Sequence, residues 1–166
     1  MKRTLSLSAV LLTALLALNP AVLSAATRNP NLPIASRTPG ALDPRVTQAT
    51  IRSTICVSGY TKGVRPSSSS THALKVRQLH SGYAVEGHFS TSDYEEDHLI
   101  SLELGGSPTA EKNLWPEPYF RVNGARTKDT LENRLHSLVC SGTVPLAVAQ
   151  RAIAGNWIAA YRVYVG

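Results

Sequence analysis

The sequence predicts a small, single-domain α+β protein, in which extended segments come first and two helices close the chain. Residues Leu99–Leu104 alternate apolar and polar side chains, which is typical of a strand or of one arm of a hairpin. Lys128–Cys140 and Pro145–Tyr164 each repeat apolar residues at helical spacing. The repeating positions are Leu131, Leu135, Leu138 and Val139 in the first helix and Leu146, Ala149, Ile153, Trp157 and Tyr161 in the second.

The first 26 residues have the pattern of a cleavable secretory signal. Lys2 and Arg3 give a positive start, an apolar run covers Leu5–Leu18, and small residues precede the expected cleavage point after Ala26. A membrane anchor is the alternative, but a spanning helix needs about 20 apolar residues, and this run is shorter and is followed by Pro20. We therefore expect a secreted or periplasmic protein that has no membrane contact after cleavage.

The chain after the signal is expected to divide into a tether and a domain. Residues 27–49 contain four prolines, which block helices and inner strands, so this segment is predicted to be an extended tether. The folded domain is predicted to cover residues 50–166. Within it, Thr50–Tyr60 is predicted to contain a short strand, and His72–Leu79 to form a short helix that buries its leucines.

The charge of the chain is compatible with a polyanionic partner. The net charge is +6, and it falls to about +4 when Lys2 and Arg3 leave with the signal, because no acidic residue leaves with them. A modest positive charge suits nucleic acid or an anionic envelope polymer, although many exported domains are basic without a specific partner.

Cys56 and Cys140 are the only cysteines of the chain. In an oxidising compartment two such residues most often form a disulfide, and this one would close a loop that spans most of the domain. Two buried free thiols are the alternative. Two cysteines alone are too few for a structural zinc site, which needs four ligands.

Asp97 and His98 are the first residues with a chemical signal. They are adjacent at the start of an extended segment, where neighbouring side chains point to opposite faces unless the backbone is kinked. An Asp that binds a metal ion beside a His that takes a proton from water is a combination suited to phosphodiester hydrolysis. His fits the role of base because its ordinary pKa lies close to neutral pH.

The helix over Lys128–Cys140 offers a second set of polar groups. Asp129, Glu132, Asn133 and His136 follow helical spacing and form one polar stripe beside the leucine face. Glu132 and His136 are one turn apart, so both could reach a single ion. The alternative is an ordinary solvent-exposed helix face.

These residues together resemble a known family of nucleases. Asp97-His98-Leu99-Ile100, the Leu-Glu-Leu-Gly-Gly segment ending at Gly106, and Asn113-Leu114 are similar to the core of the HNH nucleases, the His-Me finger or ββα-metal superfamily. The segments Asp97–Pro118 and Lys128–Gly142 also resemble small exported bacterial proteins that are assigned to HNH nucleases by motif. The resemblance implies a ββα-metal core with flanking helices and a C-terminal helix.

The resemblance also implies a role for each matching residue. His98 corresponds to the general base, and Asp97 to the acidic metal ligand before it. Asn113 corresponds to the Asn that orients the base by holding the hairpin loop through backbone hydrogen bonds. Glu132 and His136 are the candidates for the ligands from the helix, which here begins later after the Asn than is usual in the family.

We therefore expect one divalent metal ion, held by Asp97, Glu132 and His136. Carboxylate ligands favour Mg²⁺ or Mn²⁺, whereas a His136 ligand favours Zn²⁺, Mn²⁺ or Ni²⁺. The expected function is a monomeric, exported, metal-dependent endonuclease that cuts DNA, or also RNA, with little sequence specificity. The alternative is a non-catalytic exported binding domain on a degenerate ββα scaffold.

Other polar residues are given simpler interpretations. Glu95 and Glu96 are expected to be an exposed charge pair, and the histidines before the motif to be surface residues rather than ligands. Seven basic residues before and after the motif are expected to contact phosphates from the protein surface. They are Lys62, Arg65, Lys75 and Arg77 before the motif, and Arg121, Arg126 and Lys128 after it.

Overall fold

The computed structural model describes residues 28–166, so the predicted signal lies outside the described residues. This part of the chain folds into a small domain of mixed helix and sheet. Its helices are α1 (Tyr60–Val64), α2 (Ser68–Gln78), α3 (Ala125–Cys140) and α4 (Leu146–Tyr164), and its strands are β1 (Tyr94–His98) and β2 (Leu114–Pro118). Within residues 28–166, no helix combines the length and the apolar character that a membrane crossing requires.

β1 and β2 form an antiparallel hairpin, in which Tyr94 pairs with Pro118 and His98 with Leu114. Paired residues of such a hairpin point to the same side of the sheet. One side therefore carries Glu95, Asp97 and their partners on β2, and the other carries Glu96 and His98. β1 is regular, so Asp97 and His98 point to opposite faces.

The segment between the strands differs from the predicted hairpin arm over Leu99–Leu104. β1 ends at His98, and the chain then bends through a short 3-10 turn at Leu102–Leu104. The four apolar residues Leu99, Ile100, Leu102 and Leu104 are all buried. Their alternation with polar residues arises from a bend that places them all in the core, and not from a strand with one exposed face.

The two predicted helices are confirmed. α3 buries Leu131, Leu135 and Val139, and α4 buries Ile153 and Trp157, each with no measurable exposure. The two helices contact each other, and their buried residues belong to the main hydrophobic core. α3 begins at Ala125, three residues before the predicted start at Lys128, and Gly124 is its N-cap. The predicted helix before the hairpin is present as α2, with Leu74 and the following Leu79 buried.

The segment predicted as a tether packs against the domain instead. Val46 is 5% exposed and belongs to the main core, and Thr38 is 1% exposed. The Trp157 indole donates a hydrogen bond to the Asn31 carbonyl at 2.9 Å, and the Gly40 amide donates one to Lys112. The prolines do exclude regular helix from residues 28–49, but they do not prevent this irregular chain from pairing its backbone with the domain.

The predicted disulfide between Cys56 and Cys140 is present and joins positions 84 residues apart. Cys140 is the last residue of α3, and Cys56 follows a short 3-10 turn at Ile51–Ser53. The strand predicted in Thr50–Tyr60 is absent, because turns in this segment direct Ile51 and Ile55 into the core. The bridge therefore holds the irregular N-terminal part of the domain against the end of α3.

Reducing this disulfide should destabilise the domain by about 4 kcal/mol, since closing so long a loop lowers the entropy of the unfolded chain. The measurement is urea unfolding of the mature protein with and without reductant. The double variant Cys56→Ser/Cys140→Ser should match the reduced wild-type protein and should not respond to reductant. Equal unfolding midpoints for the oxidised and reduced protein would contradict this prediction.

Candidate active site

A buried ammonium group joins the hairpin to α3. Lys128 has no measurable exposure, and its Nζ donates hydrogen bonds to Asp97 Oδ2 at 2.5 Å and to the His98 carbonyl at 2.9 Å. Nζ also donates to Glu132 Oε1, one turn further along α3. The second oxygen of Glu132 accepts a hydrogen bond from the Ser101 hydroxyl at 2.9 Å. The ammonium is therefore bound by oxygen atoms from β1 and α3, and Ser101 of the bend holds the Glu132 carboxyl.

The charges of this cluster stabilise one another. Burial alone would lower the pKa of Lys128, but the facing charges of Asp97, Glu132 and Glu117 outweigh it and hold the pKa above its usual value. Burial likewise opposes ionisation of Asp97, but the Lys128 charge outweighs it and lowers the pKa of Asp97. Lys128 and Asp97 are therefore an ion pair at neutral pH. Burial raises the pKa of Glu132 to about 7, so that carboxyl is only partly ionised.

Glu117 adds a third carboxyl to the same side of the hairpin. It is fully buried, and no hydrogen-bond donor among residues 28–166 reaches either oxygen. Burial, followed by the charge of the adjacent Asp97, raises the pKa of Glu117 well above its usual value. The raised pKa favours the protonated form of Glu117, whose acid proton can be donated to the neighbouring Asp97 carboxylate.

The loop beyond His98 is held by the Asn113 side chain. Asn113 Oδ1 accepts from the Ile100 amide at 3.0 Å, and Nδ2 donates to the carbonyls of Ile100 and Ser107, both at 3.0 Å. Gly106 is required beside it, because a Cβ at this position would lie 1.7 Å from the Ile100 oxygen. Asn113 thus makes backbone hydrogen bonds of the kind that the family resemblance assigns to it.

This loop also fixes the ring of His98. His98 Nε2 lies 3.0 Å from the Pro108 carbonyl, which can only accept, so Nε2 carries the proton. Burial lowers the pKa of His98 below 6.5, and the charges of Arg65 and Lys128 act in the same direction. The ring is therefore neutral at neutral pH, and its lone pair is on Nδ1. No residue within 28–166 donates a hydrogen bond to that nitrogen.

His98 forms part of the wall of a cleft of about 300 Å³ between the hairpin and α2. The cations Arg65 and Lys75 also line this cleft, together with His72 and the carboxyl residues Glu95 and Glu96. Lys75 is fixed there, since its Nζ donates to the carbonyls of Thr91 at 3.0 Å and Tyr94 at 2.9 Å. The side facing α2 thus carries two cations beside His98, whereas the side facing α3 carries the carboxyl cluster.

Glu96 shares the cleft with His98 and differs from the predicted exposed pair. It is half-buried, and neither carboxyl oxygen has a hydrogen-bond partner within residues 28–166. Burial raises the pKa of Glu96 to about 8, so this carboxyl is mostly protonated at neutral pH. Glu95 is also half-buried rather than exposed. The strand buries these acidic residues because α2 and α3 cover the two faces of the hairpin.

The structure does not bring the three predicted metal ligands together. Asp97 and Glu132 converge, but the Lys128 ammonium already fills the place between them, and a second cation there would be repelled. His136 lies elsewhere, where its Nε2 is 2.8 Å from the Ile55 carbonyl. The set of Asp97, Glu132 and His136 therefore does not fit a divalent ion.

His136 does lie in another group with metal-ligating atoms. Its ring nitrogen and the sulfur atoms of Cys56 and Cys140 are within 4.8 Å of one another, so the three residues could hold a metal. However, the disulfide engages both sulfur atoms, and metal binding requires thiolates. This group is therefore a ligand set only in the reduced protein.

Sequence reasoning missed the roles of three residues. Lys128 was expected on the surface as a phosphate contact but is the centre of the buried cluster. Its position four residues before Glu132 on a helix was a local signal for that pair. Glu117 stands in a run of apolar and proline residues, which predicts burial. Its contact with Asp97 became evident only when the register of the hairpin placed both side chains on the same side. Glu96 gave no signal that separated it from an exposed acid.

Comparison with known proteins finds no family model, no curated protein and no solved structure that matches this chain. Functional inference therefore depends on the chemistry of the residues themselves.

Replacing Lys128 with Met should destabilise the fold by about 3–5 kcal/mol, because it leaves the buried Asp97 carboxylate without its counter-charge. Urea unfolding measures this change. Lys62→Met is the matched control, since Lys62 is exposed and should tolerate the change within about 0.5 kcal/mol. A loss of less than about 1 kcal/mol for Lys128→Met would show that the ammonium does not hold the cluster together.

Proposed function

We propose that this chain is an exported endonuclease that hydrolyses phosphodiester bonds in DNA, or also in RNA, with little sequence specificity. The observation that carries the proposal is the state of His98. Its ring is neutral, its Nε2 proton is held by Pro108, and its Nδ1 lone pair is free at the wall of the cleft that also contains Arg65 and Lys75. A base with this protonation beside two cations is suited to activating water against a phosphodiester. The HNH-like motif around Asp97, His98 and Asn113 supports the same assignment.

The proposed reaction uses groups of the cleft. Nδ1 of His98 removes a proton from water, and the water oxygen attacks phosphorus as the bond to the leaving oxygen breaks. Arg65 and Lys75 stabilise the negative charge that develops on the phosphoryl oxygens. Glu96 is mostly protonated and lies in the same cleft, so it is the candidate donor of a proton to the leaving oxygen. A proton then returns from His98 to Glu96 through solvent and restores both groups.

No step of this reaction passes through a metal ion. Asp97 and Glu132 are both engaged by Lys128, and His136 is not beside them. The positions of Asp97 and Lys128 instead suggest a structural function, since they bind the strand that carries His98 to α3. The metal requirement of the HNH family is a property that this chain's predicted ligands do not reproduce.

A non-catalytic nucleic-acid-binding domain is the second candidate. One observation favours it. The Lys128 ammonium occupies the place where a metal ion was predicted, as is expected of a site that has lost its metal. A binding domain, however, does not need His98 as a base, so only the enzyme candidate gives its free nitrogen a chemical role. The two candidates differ in whether phosphodiester bonds are broken.

Replacing His98 with Ala should abolish cleavage of plasmid DNA, with a loss of at least about 100-fold in rate, because it removes the imidazole proposed to take the proton from water. Gel analysis of nicked and linear plasmid measures it, with EDTA and with Mg²⁺ or Mn²⁺. His136→Gln is the matched control and should retain cleavage within about twofold, since His136 lies beside the disulfide. If the wild-type protein leaves DNA intact under all these conditions, the binding-domain candidate replaces the enzyme.

The rate of cleavage should depend on pH with two limits. His98 acts only when it is neutral, and its pKa is lowered. On acidification the rate should therefore fall only when the pH drops below 6.5. Glu96 donates only when protonated, so the rate should fall again as the pH rises through about 8. Initial rates across this range measure both limits. Glu96→Gln should remove the alkaline limit; if that limit persists in the variant, Glu96 is not the proton donor.

A further inference from the structure

The exposed aromatic side chains of residues 28–166 lie in one region of the surface. They are Phe89, Tyr119 and Phe120, which are 51%, 42% and 42% exposed, whereas every other Phe, Tyr or Trp in this part of the chain is at least half-buried. We call these three residues the aromatic platform. Exposure of three rings at one place is unusual for a small domain and indicates a surface that binds a ligand.

Two rings of the platform are held in position by histidines. Phe89 stacks on His80 with ring centroids 5.2 Å apart, and Phe120 stacks on His88 with centroids 4.5 Å apart. His88 and Phe89 are neighbours in sequence, so the two stacks belong to the same part of the surface. Each phenylalanine ring is thus ordered by a partner and still about half open to solvent.

The platform is continuous with the cleft that contains His98. Tyr119 lines that cleft, and so does Tyr94, whose ring meets the edge of Phe120 at a centroid distance of 5.8 Å. A ligand with its phosphate beside Arg65 and Lys75 therefore has aromatic side chains next to it. Two polar pairs lie beside the platform: Arg121 with Glu86 at 2.7 Å, and the His88 ring with Asp93 at 3.3 Å.

We propose that the aromatic platform stacks against unpaired bases and makes single-stranded nucleic acid the substrate of the cleft. The ligand must offer a phosphate to the cations of the cleft and a flat ring to the platform, and a single-stranded nucleic acid offers both in each nucleotide. In a duplex the faces of the bases are covered by their neighbours, so the platform cannot reach them. Stacking tolerates every base, which agrees with the low sequence specificity proposed above. This inference rests on the proposed nuclease function, because that function places the phosphate at His98.

Binding should be measured by fluorescence anisotropy with the His98→Ala variant of the full mature chain, which should not cut its ligand. The probes are a short labelled single-stranded DNA, the blunt duplex of the same sequence, and an abasic strand of the same length. The abasic strand keeps the phosphates and lacks the rings. We expect the single strand to bind about tenfold more tightly than either other probe.

Phe120→Leu keeps an apolar side chain of similar volume but removes the ring, and it should weaken single-strand binding about tenfold without changing abasic-strand binding. Phe120→Trp should restore the affinity. Val163→Ala is the matched control, since Val163 is an exposed apolar residue near the end of α4, outside the platform. The melting temperature of each variant shows whether the fold is retained.

The outcomes separate this inference from the proposed function. Equal affinity for the single strand and the abasic strand, or no effect of Phe120→Leu, overturns the platform even if wild-type protein cuts DNA. Base-dependent binding that Phe120→Leu abolishes supports the platform even if wild-type protein cuts nothing, and in that case only the nuclease function fails. Preference for the duplex overturns the inference in either case.

Discussion

The contact on which the rest of the site depends is the buried Lys128 ammonium. It donates hydrogen bonds to Asp97 and to the carbonyl of His98 on β1, and to Glu132 on its own helix. It therefore joins the hairpin to α3, and each element supplies the charge that lets the other bury its own. One ammonium cannot balance three ionised carboxyls in a dry interior. Burial therefore keeps Glu117 protonated and Glu132 only partly ionised, while Asp97 remains the carboxylate of the ion pair.

This arrangement determines where His98 points. Because side chains alternate along β1, fixing Asp97 toward α3 directs His98 to the opposite face, toward the cleft beside α2. The main chain of His98 is held by Lys128, and its ring is held by the Pro108 carbonyl, which belongs to the loop ordered by Asn113 and Gly106. The imidazole is therefore constrained from both sides, in one protonation state, at the wall of the cleft that also contains Arg65 and Lys75. Asp97 and Glu132, which the resemblance links with metal binding, are instead partners of the lysine that holds the main chain of His98.

The sequence predicted those parts of the fold that depend on local repetition. α3 and α4 follow from apolar residues at helical spacing, and the Cys56–Cys140 bridge follows from two cysteines in a chain that is predicted to be exported. The bend after His98 and the packing of residues 28–49 were not predictable, because both depend on backbone contacts between distant segments. The same holds for the site: Asp97 and Lys128 are 31 residues apart, and no local pattern distinguishes a metal ligand from the partner of a buried lysine.

The central claim is that His98 is a neutral base with its proton on Nε2 and its lone pair on Nδ1. Long-range proton–nitrogen correlation NMR of the histidine side chains at neutral pH tests it most directly, with His98→Gln used to assign the signal. We expect the His98 ring to show a protonated Nε2, an unprotonated Nδ1, and no change to the doubly protonated form until the pH falls below 6.5. A ring protonated on Nδ1, or one doubly protonated at neutral pH, would contradict the account.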